Sequence, residues 1–247
     1  MIGRLLLLLA IAIAASAPSG ALGAQAGDPA RANAERIRVY HERIATAART
    51  IPAQASLVAL IDPVFRLAAE RSRSGGAVDE NRGALMALAF YVNDWSPALF
   101  VPEARAWPVA EQRSLVLRGR RDLARHFALS ALIAAAAGTP VAAAAGLYKE
   151  LNDARGGSGF SFSDLAANRA GELFGSFATG SDASARRLQA RVAARLVEDD
   201  LVPRMDGLRD NLSEREFADR YGGVGAPAYN SVIDDINRRV AELQLFQ

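Results

Sequence analysis

The sequence predicts an all-α protein: a compact multi-helix bundle around a central Ala/Gly-rich helical core, with one long loop that holds tryptophan and proline. Three observations carry this. Apolar residues recur three to four apart in almost every segment, the period of one helix face. Helix-start signals recur, as Asp28-Pro29, Thr139-Pro140 and the Ser213/Glu216 pair. Finally, a hydrophobic fraction of 51% is ample for a core, and a charged fraction of 23% argues against disorder.

The chain opens with Arg4, an apolar run over residues 5–15, a break at Pro18 and Gly20, and small residues to Ala24 and Ala26. A basic start, a short apolar stretch and a small-x-small exit compose a secretory signal peptide. We therefore expect residues 1–26 to be a signal peptide cleaved after Ala24 or Ala26, and the mature chain to be exported to the periplasm of a bacterial envelope. An uncleaved anchor is the competing reading, but the run falls short of the roughly 20 residues that span a bilayer. About 220 residues remain, read as a single all-helical domain over 27–247 with its core at 120–180. There is no cysteine, so packing alone must hold the exported chain, and thiol chemistry and N-terminal lipidation are excluded. The net charge is +2; without a basic block or interleaved aromatics, nucleic acid is not expected as a partner.

In order, the first helix follows Asp28-Pro29 and carries Ile37, Tyr40, Ile44 and Ala48 on one face. A second apolar run over 53–69 meets Asp62-Pro63, where a kink or fresh start is expected. After a Ser74-Gly75-Gly76 turn, a helix from Asp79-Glu80 to Val92 turns Leu85, Leu88, Ala89 and Val92 inward. Residues 93–119, with Trp95, Trp107, Pro97, Pro102 and Pro108, read as an ordered loop with a short strand at 114–117. Helices resume at Asp122, restart at Thr139-Pro140 and end at the glycines of 156–159. An amphipathic helix over 182–199 holds Leu188, Val192 and Leu196 in register. Ser213 and Glu216 form a capping box, and a glycine turn over 221–227 leads to a last helix over 229–243.

Chemistry concentrates between Asp122 and Gly175. Asp122 and His126 are four apart, so on a helix they share a face and can hydrogen-bond, an arrangement suited to a general base or metal ligand. A solvated carboxylate beside a packed histidine is the plainer reading. Glu150 and Asp153 follow on the next helix, beside Lys149, the only lysine in the chain; an ordinary charged helix end explains them equally well. Asp164 and Asn168 are again four apart, and Gly171 and Gly175 continue that side, with small residues at the spacing that lets two helix backbones approach. Ser161 or Ser163 can cap this helix. Three helices, each with a polar pair beside Ala/Gly surface, can bring the pairs together. The uncharged stretch 127–148 reads as two buried helices split at Gly138-Thr139-Pro140, the alternative being a membrane-associated hairpin.

The order Asp122-x-x-x-His126, Lys149-Glu150-x-x-Asp153, Asp164-x-x-x-Asn168-x-x-Gly171-x-x-x-Gly175 resembles the signature of VanZ-like bacterial envelope proteins and of the related YfiM-type periplasmic proteins. The likeness spans about 55 residues, and its last element is the most specific. It implies an envelope location and a polar site; VanZ-like proteins are associated with glycopeptide-antibiotic tolerance. This chain departs from the pattern in lacking a lipidation cysteine, a set of membrane spans and the lysine common after the first Asp.

Two functions follow. In the first, favoured by the absence of common hydrolase machinery, the protein is a non-catalytic binding or scaffold component that holds an envelope component or small ligand through Asp122, Lys149 and Asn168. In the second it is an envelope enzyme acting on a phosphorylated or glycan component. His126, Glu150, Asp153 and Asp164 would then be the catalytic acid/base groups or the ligands of a divalent metal.

Overall fold

The computed structural model describes residues 29–137 and 159–247, and nine helices and two short strands are found among them. The first helix, α1 (Pro29–Ala48), buries Ile37, Tyr40, Ile44 and Ala48, the face its spacing predicts. β1 (Gln54–Ser56) and β2 (Ser114–Val116) pair in parallel, with Ala55 opposite Leu115. The strand at β2 is as expected. Its partner falls in a stretch that reads as helix, because only a segment sixty residues away supplies the backbone partners of β1.

The second helix, α2 (Val58–Arg71), corrects one of the two expectations at Asp62-Pro63, the fresh start. It starts five residues before the proline and runs through it. Pro63 removes one ladder hydrogen bond, yet Leu60, Ile61, Val64 and Phe65 are all buried across it, so packing on both sides of the proline holds the helix continuous. α3 (Ala77–Val92) is buried almost all round. Its Glu80 accepts from the hydroxyl of Tyr40 at 2.7 Å, from Arg71 Nε at 2.7 Å and from Arg36 Nε at 3.3 Å, tying three helices together. Burial alone would raise the Glu80 pKa, but these donors outweigh it and hold the carboxyl below its usual range. Deeper in, Asn81 donates to the carbonyls of Ala178 and Ala185 and accepts from Gln189, so this buried polar group is satisfied.

The Trp/Pro loop contains two short 3-10 turns, Pro97–Leu99 and Pro102–Ala106. It packs by its aromatics as expected: Phe100 stacks on Phe90 at 5.0 Å, and Trp107 lies 5.6 Å from His41.

α4 (Arg121–Ala137) and α5 (Phe162–Thr179) form the centre. Gly171 faces the backbone of Phe127, and Gly175 that of Ala131. The two pairs advance together along both helices, so α4 and α5 run parallel and their N-termini lie side by side. Phe174 fills the seam between Phe127 and Phe65, each 5.4 Å away. α3 runs antiparallel to α4: Arg82 reaches the Ala135 carbonyl at one end, and Asp94 binds Arg121 and Arg125 at the other. Among the described residues no helix is long and apolar enough to cross a membrane. Residues 138–148, the second half of the expected core pair, lie outside the described residues.

The expected helix over 182–199 divides into α6 (Asp182–Ala194) and the single turn α7 (Glu198–Leu201), with extended backbone at Arg195 and Val197. Tertiary bonds explain the break: Glu198 accepts from Ser56 Oγ at 2.5 Å and from the Arg118 amide at 2.9 Å, which a continuous helix would carry elsewhere. Leu196 stays buried nonetheless. α8 (Glu214–Tyr221) starts at the predicted capping box of Ser213 and Glu216. α9 (Pro227–Ala241) begins two residues earlier than expected, with Pro227 at its first position. Phe217, Tyr221 and Tyr229 of these helices pack on Phe160 and Phe162 just before and within α5. The C-terminal helices thus cover the start of the central pair.

Candidate functional site: a buried polar clasp between parallel helices

The parallel seam sets the chemistry. Wherever a glycine of α5 lets the α4 backbone approach, the neighbouring side chains of the two helices must meet. His126 is 7% exposed, Asp164 6% and Asn168 4%, so charged and polar groups are interleaved here without solvent. His126 Nε2 lies 3.2 Å from Asp164 Oδ2, and Nδ1 lies 3.0 Å from Asn168 Oδ1. Ser130, one turn along α4 from His126, donates to the same Asn168 oxygen at 2.9 Å.

These contacts constrain the protons. Nε2 faces a carboxylate oxygen, so it carries a hydrogen. At Nδ1 the ring either donates to the Asn168 carbonyl or, with the amide turned over, accepts from its NH2 group. In the first arrangement Asn168 Nδ2 is buried without a partner; in the second its oxygen takes that place. Either way both ring nitrogens are engaged within the protein. The Ser130 hydroxyl donates to Asn168 and not to the imidazole, so Ser130, His126 and Asp164 do not compose a nucleophilic triad.

Arg120 closes the open end of the clasp, just before α4. Its guanidinium binds Asp122 at 2.5 and 3.2 Å, Asp164 at 3.4 Å, and Asp210. Asp210 in turn accepts from Ser161 Oγ at 2.7 Å and from the Ser163 amide at 3.1 Å, while Ser161 Oγ accepts from the Asp164 amide at 3.0 Å. One cation therefore serves carboxylates from three separate parts of the chain, at the positive ends of two helices. Burial acts to raise the pKa of Asp122, but the Arg120 hydrogen bonds prevail and lower it. The same carboxylates push the Arg120 guanidinium pKa up.

The structure thus unites the first and third of the expected pairs, but not as drawn from spacing. Asp122 does not orient His126; it lies at the exposed start of α4, bound to Arg120. The histidine reaches across to α5 instead, where Asp164 and Asn168 meet its two ring nitrogens, while Arg120 takes up Asp122. Lys149, Glu150 and Asp153 lie outside the described residues. Among the described residues no three His, Asp or Glu side chains are grouped to hold a metal ion, and of the four expected ligands only His126 and Asp164 are described.

Three members of the site were not anticipated. Ser130 had a local signal, four residues after His126 on the same face. Arg120 and Asp210 had none, since they meet across ninety residues of chain. Glu172, 2% exposed on α5, is a buried carboxylate whose pKa is raised by desolvation, only partly offset by Arg169 at 2.9 Å.

Beside the clasp, Arg118, Arg120, Ser163, Arg204 and Asp210 line an open groove of about 560 Å³. A second void, enclosed by Leu57, Ile61 and Phe174 among others, is about 10 Å³ and too small for a ligand. No family model matches this chain. Comparison with curated proteins and with solved structures finds no match either.

Proposed function

We propose that this is an exported, non-catalytic binding or scaffold protein of the bacterial cell envelope, in which the His126–Asp164–Asn168 cluster is a structural clasp. The observation that carries this reading is the engagement of both ring nitrogens of a buried histidine by α5. A general base needs a nitrogen that can reach the substrate's proton, and a metal ligand needs one that can face the ion. Here both face the partner helix. The leader-like residues 1–26 and the likeness of residues 122–175 to VanZ-like proteins support the envelope location.

The test is complementation in the native host alongside stability of the purified variants. Under this reading, function in His126→Gln and Asp164→Asn variants falls only as far as the folded fraction falls. A variant at either position that folds as the wild type does and yet loses function would favour the enzyme instead.

A further inference from the structure

The Trp/Pro loop between α3 and α4 is held firmly, yet it turns apolar side chains to solvent. The Trp95 amide donates to the Phe90 carbonyl at 2.8 Å, Phe100 stacks on Phe90, and His41 Nε2 donates to the Pro108 carbonyl at 2.8 Å. Tyr91 ties off the far end, donating to the Glu111 carbonyl at 2.6 Å and accepting from the Arg113 amide at 3.0 Å. So anchored, the loop still leaves Val109 97% and Leu99 59% exposed. They are two of the four large hydrophobic side chains exposed among the described residues, so exposed apolar surface is concentrated here and not scattered.

The two tryptophans of the chain, Trp95 and Trp107, both lie in this loop, half-buried. Each packs on the apolar cluster that includes Ile37, Phe90 and Val101. Neither indole N–H has a hydrogen-bond partner among the described residues, and neither is shut away from solvent. An indole with its body on an apolar surface and its N–H wet is placed as tryptophans are at the boundary of a bilayer. The charges around the loop suit an anionic boundary. Asp94, beside Trp95, is held by two guanidiniums, Arg121 at 2.7 Å and Arg125 at 2.6 Å, and Glu111 by Arg113 at 2.9 Å. Glu103 and Arg105 are exposed and cancel in charge. Four arginines thus meet three carboxylates, and one positive charge is left over.

We propose that this loop rests on the surface of an anionic lipid bilayer, with Leu99 and Val109 entering the boundary between headgroups and acyl chains and the two indoles lying at headgroup level. The proposal rests on the envelope reading above and gives the scaffold its docking surface. The indole N–H groups donate to lipid phosphate or ester oxygens, and the unmatched guanidinium charge meets the phosphates. Contact of this kind is peripheral and needs no spanning helix.

Because the loop holds both tryptophans, their fluorescence reports on this surface alone. The protein purified from its native host is titrated with vesicles of phosphatidylethanolamine and phosphatidylglycerol, and with vesicles of phosphatidylcholine. On the first, the emission should shift to shorter wavelength, iodide should quench it less, and brominated acyl chains should quench it more. Affinity for phosphatidylcholine should be about fivefold lower, the effect of one basic charge. Leu99→Asp and Val109→Asp should each weaken binding about tenfold, the loss of one buried aliphatic contact. Both side chains are exposed, so the fold tolerates either change. No vesicle binding, binding without the spectral changes, equal affinity for the two vesicle types, or full affinity in either aspartate variant would overturn the proposal. So would loss of host function in the aspartate variants while the wild type leaves vesicles unbound, the result expected of a protein partner. Any of these failures leaves the non-catalytic reading standing, because host complementation of the clasp variants tests that separately.

Discussion

A Cβ placed on Gly171 would stand 2.2 Å from the carbonyl oxygen of Phe127, and one on Gly175 would stand 2.2 Å from that of Ala131. Neither helix can yield locally, because the obstacle is backbone and not the end of a flexible side chain. The contact between α4 and α5 therefore requires hydrogen at both positions.

Gly171→Ala should accordingly force the two helices apart. Overpacking of a tight interior contact costs ~1–3 kcal/mol, and the separation also stretches the clasp one turn away. The chemical-denaturation midpoint of Gly171→Ala should fall. A midpoint equal to that of the wild type would show that the seam is not held at this distance.

His126 and Asp164 should be energetically coupled. Both are buried, and removing one partner of a buried pair typically costs ~3–5 kcal/mol. The double variant His126→Gln with Asp164→Asn should therefore cost less than the sum of the two single changes, by ~0.5–3 kcal/mol. A double-mutant cycle by denaturation measures this directly; strict additivity would mean that the 3.2 Å approach carries no interaction.

Arg120→Met should remove much of the acid sensitivity of the fold. The Arg120 bonds lower the Asp122 pKa against the opposing effect of burial. Stability from a depressed carboxylate is present above its unfolded pKa and is lost as pH falls through the folded one. The variant should thus be less stable than the wild type at neutral pH, and the gap should narrow as the carboxylates become protonated. A gap that is constant with pH would place the role of Arg120 in packing instead.

Glu172→Gln should behave in the opposite sense. Desolvation raises the Glu172 pKa, so the folded state holds its proton more tightly than the unfolded chain does. Stability then declines as pH rises from the ordinary glutamate range through the raised value. The glutamine variant has no proton to lose, so it should match the wild type in acid and exceed it at neutral pH. Equal stability at every pH would show that Arg169 fully compensates the buried charge.

Much of the fold was legible because helices advertise themselves locally. The inward faces of α1 and α3, the capping box before α8 and the strand at β2 each rest on residues a few positions apart. The errors came where distant groups intervened. A fresh start at Pro63 is one reading of the sequence, yet Phe65 and its neighbours pack firmly enough to carry α2 through it. Residues 182–199 read as one helix, yet Glu198 is needed by Ser56 and the Arg118 amide, and the chain unwinds to supply it.

The site divides along the same line. The sequence alone determined that His126, Asp164 and Asn168 fall on helical faces beside small residues, and that Gly171 and Gly175 permit a close approach, because spacing on a helix fixes direction. Only the tertiary structure decided that α4 and α5 run parallel. That orientation turns His126 away from Asp122 and onto α5, sets both helix N-termini side by side, and gathers Asp122, Asp164 and Asp210 around Arg120. Charges at one end of two parallel dipoles need a shared counter-ion, and no local pattern records which arginine, ninety residues from Asp210, will provide it.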